Sequence, residues 1–174
     1  EIGPGRQRLT FGVALYDQYR DTHAAEPEHE DSLRFTHQSE FWAWVESKCL
    51  KGRTLWVLAH NWNYDAGILD TSNTLLGRGW TLKKYINGKP PVIVRWEKDG
   101  AYLHMIDTMN YFMTSVESLG VAVDLPKLKM PSKNASVKVW DKYAWRDCEI
   151  IRLAFLGLRT FVLDEDLGTM QPTL

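Results

Sequence analysis

TLWVLAHNWNYDAGIL, residues Thr54–Leu69, reads as an apolar strand that runs straight into a polar turn and then a helix. Leu55 to Ala59 form an unbroken apolar run, which suits a central strand covered on both faces. His60, Asn61 and Asn63 crowd the carboxyl end of that strand, and Asp65 follows in the first helical turn. Ligands of open α/β sheets gather at the carboxyl ends of strands, where an acid suits metal-dependent chemistry. An Asp in a first turn also complements the helix dipole, so Asp65 has a purely structural reading beside the chemical one.

A second constellation lies far along the chain. Tyr143-Ala-Trp-Arg-Asp147 sits inside a segment with helical periodicity. A spacing of four puts the phenol and the carboxylate on one helix face, one turn apart. With both stretches in hand, the chain resembles the DEDD exonucleases. His60-Asn61-x-x-Tyr64-Asp65 after a strand looks like their second motif, and Tyr143-x-x-x-Asp147 on a late helix looks like the third motif of the tyrosine subclass.

The resemblance implies an α/β fold of the ribonuclease H-like kind, a mixed sheet with helices on both faces. It implies a 3′–5′ exonuclease acting on single-stranded DNA ends, or on RNA, as the proofreading domain of a family B DNA polymerase-like protein. Two divalent cations, magnesium or manganese, would lie about 4 Å apart and clamp the scissile phosphate. Glu1, Asp65 and Asp147 would be their ligands, because hard cations prefer carboxylate oxygen. Tyr143 would orient the attacking water. His60 and Asn61 would be supporting or substrate contacts.

The family's first motif is Asp-x-Glu on the first strand, and no such triplet precedes Asp65. Glu1 occupies the place of the glutamate, so the aspartate is expected just before residue 1. Together with the absence of an initiator methionine, this suggests a piece of a longer chain. The tail from Leu167 to Leu174 is loosely similar to the junction with a polymerase region, which suggests continuation at the other end as well. The rival reading is an exonuclease-like module that has lost activity and holds a nucleic-acid end or a partner domain.

Composition narrows the classes. The 174 residues are of ordinary single-domain length, and 21 basic against 22 acidic residues give a net charge of −1, so any nucleic-acid contact must come from local patches. Lys127, Lys129, Lys133 and Lys138 punctuate an aperiodic stretch before the late helix. They could hold phosphates, with Lys133 as the substrate contact, but a solvated loop has the same composition. Eight tryptophans read first as core packing, with base stacking as the other use. Cys49 and Cys148 match no zinc spacing and read as free thiols in a reducing, intracellular compartment. No apolar run approaches the roughly 20 residues of a membrane span.

The remaining elements follow from pattern and punctuation. Gly3-Pro-Gly5 predicts a tight connection into a strand over Arg8–Tyr16, and the acid-rich Glu26–Asp31 predicts a solvent loop before a short strand around Leu33–His37. Ser39 is expected to cap a helix ending at Gly52. One helix is expected from Asn63 to about Leu76. Strands are expected over Trp80–Ile86, Pro91–Trp96 and Ala101–Ile106, joined by turns at Asn87-Gly88 and Lys98-Asp99-Gly100. Asp107 reads as the cap of a helix over Met109–Leu119, rather than as a site acid, and a last helix is expected over Val139–Leu163.

Overall fold

The computed structural model describes residues 9–88 and 90–173, so Glu1 and the Gly3-Pro-Gly5 connection lie outside the described residues. The chain is mixed α/β, with a mixed sheet flanked by helices. The described residues divide into two compact units, 9–12 with 35–110, and Val13–Arg34 with 111–173.

The first unit holds helix α1 (Gln38–Ser47), strand β3 (Thr54–Ala59), helices α2 (Trp62–Ile68) and α3 (Thr71–Gly77), and strands β4 (Thr81–Asn87), β5 (Val92–Lys98) and β6 (Ala101–Asp107). Strands β1 (Gly12–Gln18) and β2 (His29–Phe35) precede them and, apart from Gly12 and Phe35, count with the second unit. The four-stranded sheet runs β3-β6-β5-β4, with β3 parallel to β6 and the other pairs antiparallel. The expected central strand therefore borders this sheet, and β3 is only partly buried. The deeply buried runs are Val92, Val94 and Trp96 on β5 and Leu103, Met105 and Ile106 on β6. An apolar run alone did not distinguish a border strand from a central one, because pairing partners are set by distant sequence.

Both expected strand pairs are present, but Asn87, expected in the first turn, instead ends β4 and pairs with Val92. Asp99 and Gly100 have φ of 51° and 79°, the paired left-handed conformation that closes a tight two-residue turn between β5 and β6. The expected helix over 63–76 is instead two. Asp70 turns left-handed at φ 44°. The carbonyls that would leave α2 unsatisfied are taken by α1, through Gln38 Nε2 to Ile68 O and through Trp42 Nε1 to Leu69 O at 3.0 Å. With those acceptors satisfied, the chain can bend and bury Leu69 and Leu75 together.

Helix α1 starts at Gln38 instead of being capped by Ser39. The Glu40 carboxylate reaches back to accept from the amides of Thr36 at 2.7 Å and His37 at 3.2 Å, which satisfies the helix start. It ends at Ser47, and Gly52 serves the turn into β3, donating its amide to Gly100 O at 2.8 Å. Glu46 of α1 binds three donors, Arg78 Nη1 at 2.6 Å, Trp80 Nε1 at 2.8 Å and Lys98 Nζ at 3.2 Å, and so ties the helix to the sheet. Trp42, Trp62, Trp80 and Trp96 are core residues, so the core packing expected of the eight tryptophans holds for four of them.

The second unit pairs the β1-β2 ribbon with helices α4 (Val116–Ala122) and α5 (Val137–Asp164). His29, Glu30 and Asp31, expected in a solvent loop, begin β2. Glu30 is drawn into order by Arg152, which also bonds Asp17 Oδ2 at 2.7 Å, while Arg159 lies 4.1 Å over the Tyr19 ring. The helix expected over 109–119 is a short 3-10 turn at Thr108–Asn110 followed by α4, whose cap is Ser115 Oγ accepting from Ser118 N at 3.1 Å. Leu119, Ile150 and Ala154 form the buried seam between α4 and α5. Gly120 is required there, because a Cβ would meet Leu125 O at 2.8 Å. Helix α5 spans two residues before and one after the expected range.

Leu103 is fully buried in the four-stranded sheet. Leu103→Ala is expected to lower stability by about 2–5 kcal/mol through lost transfer energy and residual cavity. Urea unfolding followed by tryptophan fluorescence measures this.

Candidate functional site

The parallel register of β3 and β6 sets Ala59 opposite Asp107, so both strands end at the same level and both chains turn there. Asp107, 4% exposed, accepts three amides at that level. Asn61 N donates to Oδ1 at 3.0 Å, Trp62 N to Oδ2 at 2.9 Å and Met109 N to Oδ1 at 2.9 Å. Asp107 is thus a cap, as expected, but its main task is the start of α2 rather than a helix of its own. Asn61 sits at the N-cap in the left-handed region, φ 68°, and delivers those amides.

His60 Nδ1 lies 2.9 Å from Thr108 Oγ1, which itself donates to Ala59 O at 3.3 Å. A hydroxyl that donates to a carbonyl accepts from the ring, so Nδ1 is the donor to Thr108 Oγ1. Asp65 follows one turn into α2. Burial, with the Asp107 charge second, pushes its carboxyl up to about 6, against a smaller opposing effect of its own amide. The structure thus brings His60, Asn61 and Asp65 together with Asp107 and Thr108.

Tyr143 and Asp147 lie in the second unit, on successive turns of α5. Lys127 Nζ bonds Asp147 Oδ2 and stands 4.7 Å over the Tyr143 ring. Burial is the largest single influence on Lys127 and lowers its pKa, but the bonds to Asp147 and Tyr143 outweigh it and the net shift is upward. Asp147 Oδ1 is buried with no hydrogen-bond partner among the described residues. Trp140 meets Tyr143 edge-on at 6.0 Å. Lys133 is exposed in the turn before α5, away from these bonds. Glu1 lies outside the described residues.

Among the described residues, no group of three or more His, Cys, Asp or Glu side chains is placed to hold a metal ion. Individual donors nonetheless suit one. A buried carboxylate oxygen without a partner is an open ligand position for a hard cation, and a carboxyl raised to about 6 by burial would ionise fully beside one. Lys127 was legible only as one of four lysines; its bond to Asp147 spans 20 residues and has no local signal. No helix among the described residues is long and apolar enough to cross a membrane. No protein-family model, curated protein or solved structure matches this chain.

Two measurements check this geometry. Because the folded pKa of Asp65 lies above its ordinary value, the native state binds the extra proton, and stability should fall as pH rises from about 4 to about 6 and then level off. Asp65→Asn is expected to flatten that slope in denaturant unfolding and to be more stable than the parent at pH 7. Asp107→Asn exchanges one acceptor oxygen for a donor facing backbone amides and should lower stability by about 1–3 kcal/mol in the same assay.

Proposed function

We propose that this chain is the exonuclease domain of a ribonuclease H-like, DEDD-type enzyme that removes nucleotides from the 3′ end of single-stranded DNA. Asp65 and Asp147 act as metal-binding acids in this reading, together with Glu1 and an aspartate upstream of it. The observation that carries it is the state of Asp147: one oxygen held by Lys127, the other buried and unpartnered, on the helical turn after Tyr143. A carboxylate oxygen buried without a donor is unfavourable unless something positive completes it.

Divalent cations held by these carboxylates would supply the charge that polarises the scissile phosphate and activates water. The residues of the chain do the rest. Tyr143 offers a hydroxyl that can orient that water and share its proton, and Lys127 beneath the ring steadies both Tyr143 and Asp147. Asp107 holds the start of α2 and so keeps Asp65 in place without itself meeting the substrate. His60 and Asn61 stand at the same strand ends and could contact the nucleotide, and Lys133 is an exposed cation for the phosphate backbone. A polymerase region on the same natural chain is part of this proposal.

One observation favours a second reading, a catalytically impaired binding module: Lys127 already occupies an oxygen of Asp147 that a cation would need. The two are separated by assay. A chain carrying the residues encoded before Glu1 is incubated with a 3′-labelled single strand and manganese. Under the exonuclease reading Asp147→Asn abolishes nucleotide release with the circular dichroism spectrum unchanged, and Tyr143→Phe slows release by roughly 10² to 10⁴. Release that is absent in the parent, with strand binding retained, establishes the binding module instead.

A further inference from the structure

The sheet of the first unit has a second face, apolar and buried at Ile93 and Ile106 but charged and polar further along the same strands. Lys84, Arg95 and His104 are successive register partners across β4, β5 and β6, and His104 is the partner of Trp56 on β3, so the four share one row on one face. Lys84 and Arg95 stand directly opposite each other on antiparallel strands, an arrangement that is destabilising for like charges. An irregularity between Leu82 and Lys84 adds Lys83 to the same neighbourhood. One acid, Glu97, answers these three cations, and it is engaged by Lys83 at 3.2 Å and by the Gly100 amide at 3.2 Å.

Arg95 is half-buried, and its side chain has no hydrogen bond or ion pair among the described residues, Nε being fully buried. Buried charges are ordinarily paired, because desolvation without compensation is costly. His104 does not relieve it. Burial first, and the Arg95 charge second, push the imidazole down to about 4, so it stays neutral at physiological pH. A cavity of about 350 Å³ opens here, lined by Thr54, Lys83, Arg95, Trp96, Tyr102 and His104. That volume is at the small end of ligand sites. Tyr102 is 42% exposed at its rim, and the Trp56 and His104 rings lie 6.1 Å apart.

We infer that this face is a binding site for a phosphate ester of nucleotide size, its phosphate neutralising Arg95 and Lys84 and its base resting on Tyr102. The charge imbalance calls for an anion, and the flat aromatic surface beside it selects a phosphate that carries a ring. The site is separate from the acids. Thr54 and Tyr102 lie at the start of β3 and β6, and the row of Trp56, His104 and Arg95 lies three residues, about 10 Å at roughly 3.3 Å per residue, before the strand ends that Asp65 follows. The inference does not rest on the nuclease reading.

Titration calorimetry of the 174-residue chain at low salt, without metal, tests it, with deoxyadenosine monophosphate and inorganic phosphate as probes. The nucleotide is expected to bind saturably and more tightly than phosphate. Arg95→Met should weaken it by roughly 10- to 100-fold, the weight of one charge-assisted hydrogen bond, and Lys84→Gln should weaken it less. Tyr102→Ala should remove the preference for nucleotide over phosphate, and Asp65→Asn should leave binding unchanged. Without ligand, Arg95→Met should melt at or above the parent temperature, since it relieves an unanswered charge. The inference is overturned if the parent binds neither probe, if Arg95→Met binds as the parent does, if Asp65→Asn abolishes binding, or if Arg95→Met melts lower.

Discussion

The arrangement of the first unit depends on one carboxylate accepting three backbone amides. Two parallel strands that end together leave two chains turning away from the same level, each with amides that can no longer pair in the sheet. Asp107 meets the amides of Asn61, Trp62 and Met109 at 2.9–3.0 Å and resolves this for both strands at once. An aspartate is suited to the task because two oxygens offer several lone pairs in a small volume. Its consequence is electrostatic. The charge that starts α2 lies close enough to Asp65 to help burial hold that carboxyl partly protonated near neutrality. The structural acid thereby tunes the neighbouring one.

In the second unit, charges take the place of a large apolar core. Arg152 and Arg159 of α5 grip Asp17, Glu30, Tyr19 and the Ala24 carbonyl of the ribbon region, while the apolar seam with α4 is small. Guanidinium suits this work because its planar fork bonds several acceptors without losing its charge. Asp147 is the exception on the same helix. Its partner is Lys127, a point charge that satisfies one oxygen and leaves the other bare. That incompleteness distinguishes Asp147 from Asp17 of the ribbon, both of whose oxygens are bonded by Arg152.

The two faces of the four-stranded sheet illustrate how period-two alternation divides labour. Val94, Trp96, Leu103 and Met105 on one face bury a conventional core. The alternate positions carry Arg95, Tyr102 and His104, which a strand needing only to pack would not select. The like-charge pair of Lys84 and Arg95 is unfavourable for the isolated sheet.

Local features of this chain were legible without coordinates. Asp99-Gly100 has the left-handed preference that its tight turn needs, and the strand-turn-helix of Thr54–Leu69 follows from an apolar run meeting polar residues. The long periodic stripe of Ile150, Ala154 and their neighbours declared α5, and with it the one-turn spacing of Tyr143 and Asp147. Features set by distant partners were not legible. The border position of β3 depends on which strand pairs with it, and the break at Asp70 depends on Gln38 and Trp42 supplying donors to the end of α2. The reach of β2 back to His29 accompanies Glu30 meeting Arg152 across 122 residues. The sequence by itself determined periods, turns and caps, since these are fixed by φ preferences and neighbours a few residues away. Only the tertiary structure decided which acid is a clamp, which is desolvated and which is left with a bare oxygen, because burial and charge proximity are properties of the packed chain.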